Sequence, residues 1–381
     1  MNFELTREQE MIKEMVRDFA NNVIQPEAIA IDTEAKFPEH IFKQMGELGL
    51  LGIPFPEEYG GSGGDTISYA LAVEEIGRVC GSTGLSYAAA VSLGATPIYL
   101  FGTEGQKQTY LKRMAEGKAL GSFGLTEPNA GSDAGGTKTT AKLDGDEYVI
   151  NGEKCFITNA NFAETVIVTA VTGKNESGRN IISALIVPTD AEGMTIRGNY
   201  DKMGVRGSDT AEIVLDNVRV PKENLLGDPE TGFKQFLSTL DGGRISIGAL
   251  GVGIAQASLD RSLQYAKERK QFGKSIGSFQ AIQFKIADMA MEVELARNMV
   301  LKAAWLKDNG KPFSKEAAYA KLFATETAVR AADEAIQIHG GYGYMREYEV
   351  ERYLRDAKLL VIGEGTSEIQ RLVIARQHGL R

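Results

Sequence analysis

Cysteine, histidine and tryptophan are scarce in this 381-residue chain, and basic clusters are missing. Two cysteines, Cys80 and Cys155, cannot build a disulfide framework and are expected as small buried apolar residues. His40, His339 and His378 stand far apart with no Cys/His spacing suited to zinc, so no metal is expected. Acidic residues number 51 against 42 Lys and Arg, for a net charge of −9. A chain of that balance with no basic block is a poor nucleic-acid binder. No apolar run approaching the roughly 20 residues of a membrane span is evident. The N-terminal MNFELTREQE is polar and acidic, lacking the apolar core of a signal peptide and the Arg-rich character of a transit peptide. A cytoplasmic protein is therefore expected. Its length exceeds one compact core, which predicts two or three domains.

What is present changes texture twice. Residues 1–119 read as helices. Thr6 to Gln9 fits a capping box, and Asp65 can cap the apolar stretch Ile67–Val79. The glycines at 60, 61, 63 and 64 read as a plain loop, because no Lys-Ser/Thr follows as a phosphate loop requires. Over 120–230, β-branched runs at 147–151, 165–170, 181–187 and 211–215 predict a small antiparallel β domain. Asp144-Gly145 and Asn151-Gly152 are its expected turns, and Pro221 and Pro229 its exit. Over 231–381, apolar residues recur at three and four positions in Arg244–Lys267, Ala281–Lys307 and Lys315–Ile338, which predicts a helical bundle. Helices, strands, then helices is not the βαβ order of a parallel nucleotide-binding sheet. Gly251-Val-Gly253 begins like a dinucleotide fingerprint but lacks the third glycine and a preceding strand, so it reads as close helix packing.

Several segments carry candidate chemistry. Glu364 lies between Gly363 and Gly365, where a flat ligand can approach the backbone, and a carboxylate held against a ligand is a candidate general base. Phe123 to Asp133 combines an aromatic, hydroxyls and turn residues able to present N–H groups to a heterocycle or phosphate; it also reads simply as a turn entering the β domain. In Lys154–Asn159 the two-residue period places Phe156 and Thr158 on one strand face, an aromatic wall with a hydroxyl. Arg269 can clamp a pyrophosphate or merely end a helix. The glycines of Gln337–Gly343 can end a long helix, and Leu240-Asp-Gly-Gly-Arg244 reads as an Asp/Gly helix start.

Together, the segments 125–133, 156–159, 269–273, 337–341 and 364–371 resemble the acyl-CoA dehydrogenase family, and within it the short-chain, butyryl-CoA type. The resemblance spans nearly the whole chain. It implies a mainly α fold with an N-terminal helical domain (1–119), a central β domain (120–230) and a C-terminal four-helix bundle (231–381). It also implies FAD between the last two. By that resemblance Phe123, Leu125, Thr126, Phe156, Ile157 and Thr158 surround the flavin ring, and Ser132 lies near both the FAD pyrophosphate and the CoA chain. Arg269, Gln280, Gln337, Gly340 and Gly341 hold the ADP half of FAD from a neighbouring subunit. Thr366 and Glu368 complete the cofactor site. Asp241, Arg244 and Gly365 contact substrate. Glu364 removes the α-proton while the β-hydride passes to flavin N5. The developing enolate oxygen is held by the base's own N–H and a ribityl hydroxyl. Electrons then go to an electron-transferring flavoprotein, and the assembly is a homotetramer, a dimer of dimers.

Three departures shape the reading. Phe156 replaces the Trp of many relatives, a mark of the butyryl type. Gly363 replaces a Tyr, which removes an aromatic wall and opens the alternative of a short branched acyl chain. Gly243 stands where some branched-chain relatives carry the base, which leaves Glu364. The competing readings are an acyl-CoA oxidase, usually a longer chain, and a non-catalytic acyl-CoA-binding scaffold, which would be colourless.

Overall fold

The computed structural model describes residues 4–380. Helices come first: α1 (Arg7–Phe19), α2 (Ala28–Glu34), α3 (Glu39–Glu47), α4 (Thr66–Val79), α5 (Gly81–Ala89), α6 (Thr96–Phe101), α7 (Glu104–Gln106) and α8 (Lys112–Ala115). Strands follow: β1 (Gly121–Gly124), β2 (Thr140–Asp144), β3 (Glu147–Thr158), β4 (Thr165–Lys174), β5 (Asn180–Pro188), β6 (Met194–Arg197), β7 (Thr210–Pro221) and β8 (Leu225–Leu226). The remainder is α9 (Gly232–Glu268), a small hairpin of β9 (Lys270–Gln271) and β10 (Lys274–Ser275), then α10 (Gln280–Asp308), α11 (Ser314–His339), α12 (Val350–Leu360) and α13 (Ser367–Gln377). The expected order of helical, β and helical stretches is the observed one.

Local chemistry sets the first boundaries. Thr6 and Gln9 bond reciprocally at 2.9 and 3.2 Å to open α1, and Asp65 accepts from Ser68 N at 2.7 Å to open α4. In the second helical stretch α9 packs against α11, α10 and α4. Gly251 and Gly253 make that approach possible. A Cβ on either would press on the backbone of Ala324 or of Glu74, so the two glycines serve packing, as their sequence context suggested.

The sheet runs β6-β7-β3-β2-β4-β5-β8, with β1 added parallel to β4. It is mostly antiparallel, although β2 also meets β4 in parallel at Thr140 and Val171. Asp144 and Gly145 form the expected hairpin turn, with Gly145 at φ 64°. Asn151-Gly152 is not a turn. It lies inside β3, where the register against β7 slips, and Gly152 packs against Thr139 with no room for a side chain. A second slip between Lys154 and Ile157 leaves Phe156 at φ 59° and breaks the alternation that would have put Phe156 and Thr158 on one face. Phe156 is instead exposed, while Thr158 is half-buried.

Two other expectations change. Residues 240–244 do not start a helix; they lie inside the 37-residue α9, which begins at Gly232. And Gly81–Phe101, which is α5, a π-helical turn at Ala90–Ala95 and α6, is 21 residues of apolar helix long enough to cross a membrane, with mean hydropathy 1.3. Its serines and threonines hid it in the sequence. They are satisfied within the protein: Ser86 bonds Ser208 at 2.8 Å and Ser92 bonds Ala88 O at 2.7 Å. Because 78% of its most apolar 18-residue window is buried, it is a core helix.

One buried ion pair joins β3 to the loop after β1. Lys154 is fully buried, and its ammonium reaches Glu127 Oε1 at 2.8 Å, Leu125 O at 3.2 Å and the hydroxyls of Thr137 and Thr169. Glu127 also accepts from Lys138 N and Thr139 N. Burial alone would raise the Glu127 pKa, but Lys154 and the other donors hold it down to about 2. Burial lowers Lys154 to about 8. Removing one partner strands a buried charge, so Lys154→Met is expected to destabilise the protein by about 3–5 kcal/mol. The double variant with Glu127→Gln should regain much of that loss. Urea denaturation followed by circular dichroism checks both.

Candidate active site

The loop between α12 and α13 carries Glu364 in a left-handed conformation, φ 50°, followed by Gly365 at φ 89°. A non-glycine residue there is strained and must be held by its surroundings. The holding groups are visible. Lys321 Nζ donates to Gly365 O at 2.7 Å, and Gln370 Nε2 donates to the same oxygen at 3.0 Å and to Glu364 O at 3.4 Å. Gly363 N bonds back to Leu359 O, Ser367 N to Val361 O, and Thr366 caps α13 by accepting from Ile369 N. With its carbonyl taken, the Glu364 N–H itself donates to no acceptor among the described residues.

The side chain points inward. Oε2 is shielded from solvent and makes no hydrogen bond. It lies so close to Gly243 that a Cβ on that residue would overlap it. Burial pushes the Glu364 pKa up to about 7, opposed by the positive charges of Lys321 and Arg244. Arg244, also buried, forms an ion pair with Asp241 one helical turn earlier on α9. Asp241, Gly243, Arg244, Glu364 and Gly365 are thus gathered in one place.

A second group forms where β1 meets β3. Cys155 N donates to Thr126 O at 2.9 Å, and Ser122 Oγ to Thr158 O at 2.9 Å, which ties Phe123–Thr126 to Phe156–Thr158. Phe123 packs its ring on Phe236 of α9 at 4.2 Å, and Phe156 packs on Tyr200 at 5.1 Å. Ile157 is buried in the sheet's own core, facing away from Phe156. Ser132 is exposed on the loop that follows Glu127.

A third group lies at the far end of α11. Arg269, at the C-terminus of α9, sits over the Tyr342 ring at 5.3 Å, and with Gly340 and Gly341 it lines a cavity of about 480 Å³. A Cβ on Gly340 or Gly341 would meet nothing, so their backbone is open to a ligand. Gln337 is exposed on the last turn of α11 and Gln280 opens α10. Eighteen residues of helix separate Lys321 from His339, about 27 Å at 1.5 Å per residue. Within one chain this cavity is far from Glu364. Thr366 and Glu368 are at the start of α13, with Glu368 exposed.

Models of the acyl-CoA dehydrogenase N-terminal, middle and C-terminal domains match residues 6–118, 122–218 and 230–379. The chain belongs to the acyl-CoA dehydrogenase family. A protein of Bacillus subtilis described as a probable acyl-CoA dehydrogenase is 76% identical over 99% of both chains. The structure of butyryl-CoA dehydrogenase from Megasphaera elsdenii is 45% identical, with a TM-score of 0.97 over 99% of this chain and 100% of that one. An acyl-CoA dehydrogenase of Bacillus anthracis complexed with FAD is 38% identical, with a TM-score of 0.92, covering 98% of this chain and 67% of that one.

In this acyl-CoA dehydrogenase, sequence reasoning missed the groups that hold Glu364. Lys321 was hidden as one lysine among many. The signal was its company: Ala317, Ala320, Ala324 and Ala328 place it on the buried face of α11. Gln370 and the pair Glu127–Lys154 were likewise unmarked by residue type alone.

The pKa of Glu364 has a consequence for stability. Its folded value of about 7 exceeds its ordinary value of 4.5. The stabilisation from holding the proton is therefore complete below the ordinary value and is lost as pH rises through the folded one. Glu364→Gln removes this dependence. Without substrate, the variant is expected to be more stable than wild type at pH 8, by up to about 3 kcal/mol, and to match it near pH 4. Denaturation midpoints at several pH values check the trend.

Proposed function

We propose that this enzyme removes the α-proton and β-hydride of a short-chain acyl-CoA to give the trans-2-enoyl-CoA, with Glu364 as the base. The observation that carries the reading is the half-buried Glu364 carboxylate itself, its Oε2 shielded from solvent and unpartnered, and its pKa near neutral. An α-proton of a thioester is weakly acidic, so the developing enolate oxygen needs a preorganised donor. The free N–H of Glu364 is suited to that task. Asp241 and Arg244 orient substrate from α9. A Cβ on Gly363 would make only ordinary contact with Leu359, and glycine leaves that contact unmade, which suits butyryl-CoA or a small branched analogue.

FAD is the cofactor, and the residues fit it. Phe156 offers an exposed aromatic face beside the half-buried hydroxyls of Thr126 and Thr158, with Phe123 and Leu125 on the neighbouring strand and loop. When bound, FAD supplies the acceptor for the β-hydride. Ser132, Thr366 and Glu368 would contact the remainder of the cofactor nearby. Arg269, Gln280, Gln337, Gly340 and Gly341 would hold the ADP half for a neighbouring subunit, since about 27 Å of helix separates this group from the chain's own base. Phe284, Met291 and Leu295 are exposed on α10 at spacings of seven and four, an apolar face that suits subunit contact. We therefore infer a homotetramer built of dimers, in the cytoplasm, with an electron-transferring flavoprotein as the acceptor of electrons in fatty-acid β-oxidation.

Glu364→Gln tests the reading. It keeps shape and loses the basic lone pair. Flavin and acyl-CoA should still bind, while anaerobic flavin bleaching by butyryl-CoA should slow by at least about 10²–10⁴-fold. In wild type the bleaching rate should rise with pH through about 7, as the carboxyl ionises. Bleaching of the variant at near wild-type speed would mean that the base is another residue. Arg269→Ala should weaken FAD retention and the dimer together, because a pyrophosphate would lose a charge-assisted partner. Sedimentation and the flavin-to-protein absorbance ratio read both; a wild-type monomer with full FAD would refute the shared site.

A further inference from the structure

We propose that Lys321 is a positioning residue for the base: its buried ammonium holds the Glu364 loop through the Gly365 carbonyl and supplies the positive charge against which the carboxylate ionises. This rests on the reading of Glu364 as the base.

The placement of Lys321 has no ready structural explanation. Its side chain is fully buried on the alanine-rich face of α11, where an apolar side chain would carry no charge to desolvate. Its one hydrogen bond is to Gly365 O, and it forms no ion pair with any carboxylate among the described residues. Burial accordingly lowers its pKa to about 8, with the nearby Glu364 charge acting in the other direction. Lysine is thus kept at a site that disfavours its charge, and its nearest acidic influence is Glu364.

Other charges around the base do not replace it. On α9, Arg244 is buried and near Glu364, but Asp241 is bonded to it and offsets its charge. On α4, Tyr69 is buried, and its hydroxyl donates to Ala88 O at 2.9 Å, so it adds no charge. On α10, the ammonium of Lys307 lies against Gly242, and it is not among the charges that act on Glu364. On α13, Glu368 is exposed, and Arg371 pairs with Glu326 of α11. Of the two cations whose charge acts on Glu364, Lys321 is the one without a carboxylate partner among the described residues. It also fixes the backbone, because its bond to Gly365 O lies next to the strained residue that carries the carboxylate.

The test uses holoenzymes carrying Lys321→Met, which removes charge and donor, and Lys321→Gln, which removes charge but keeps a donor for Gly365 O. Two quantities are titrated. One is the rate of anaerobic flavin bleaching by butyryl-CoA. The other, without substrate, is the infrared carbonyl band of the protonated carboxyl that Glu364→Gln abolishes. Both midpoints should rise together by about one pH unit or more in both variants. The plateau rate above the new midpoint should fall further in Lys321→Met than in Lys321→Gln. Unmoved midpoints, with only a uniform drop in rate, would overturn the assignment by reducing Lys321 to packing; so would failure of both variants to fold. A wild type that never bleaches refutes the dehydrogenase reading instead, and the infrared midpoint still reports on Lys321.

Discussion

A carboxylate removed from water is unstable unless cations or donors compensate it, yet a base must keep a lone pair free. In its proposed role, Glu364 meets both demands by separating them. Compensation acts through space, from Lys321 and Arg244, while Oε2 is left without a bond. The surrounding architecture follows from that division. A left-handed turn aims the side chain inward, two donors hold its carbonyls, and α9 offers a glycine where the oxygen arrives.

The other two residue groups are fixed by different means. The β1–β3 junction is clamped by Lys154 and Glu127, whose mutual satisfaction places a charged pair inside the sheet without an orphaned atom on either partner. The glycine-lined cavity at the end of α11 relies on geometry: an exposed backbone beside a guanidinium and stacked rings. The long helices α9 and α11 span the distance between that cavity and Glu364, so rigid elements rather than loops set the spacing.

The order of helical and β stretches was legible because the hydrophobic period switches near residues 120 and 230, and the packing role of Gly251 and Gly253 followed from a fingerprint that failed. Glu364 was legible from its flanking glycines and its motif. Illegible were features decided by tertiary contact. Asn151-Gly152 has the composition of a turn but is a slip within β3, because Thr139 needs the space. Phe156 sits at a second slip of register and takes a positive φ that the two-residue period did not foretell. Gly242 and Gly243 look like a helix start, but α9 runs through them, and Glu364 Oε2 lies where a Cβ on Gly243 would stand. Lys321 gave no sign as a residue type; its burial was written only in the alanines around it.

The contact between Gly243 and Glu364 also constrains how such a chain can change. A glycine inside a helix costs about 1 kcal/mol relative to alanine, so drift toward alanine at 243 would strengthen α9. Such a drift would displace the carboxylate, since the added methyl and Oε2 would claim the same volume. The two positions therefore form one heritable unit: a lineage that gives up the acid at 364 gains a free choice at 243, and one that keeps the acid in that place inherits the weak spot in the helix along with it.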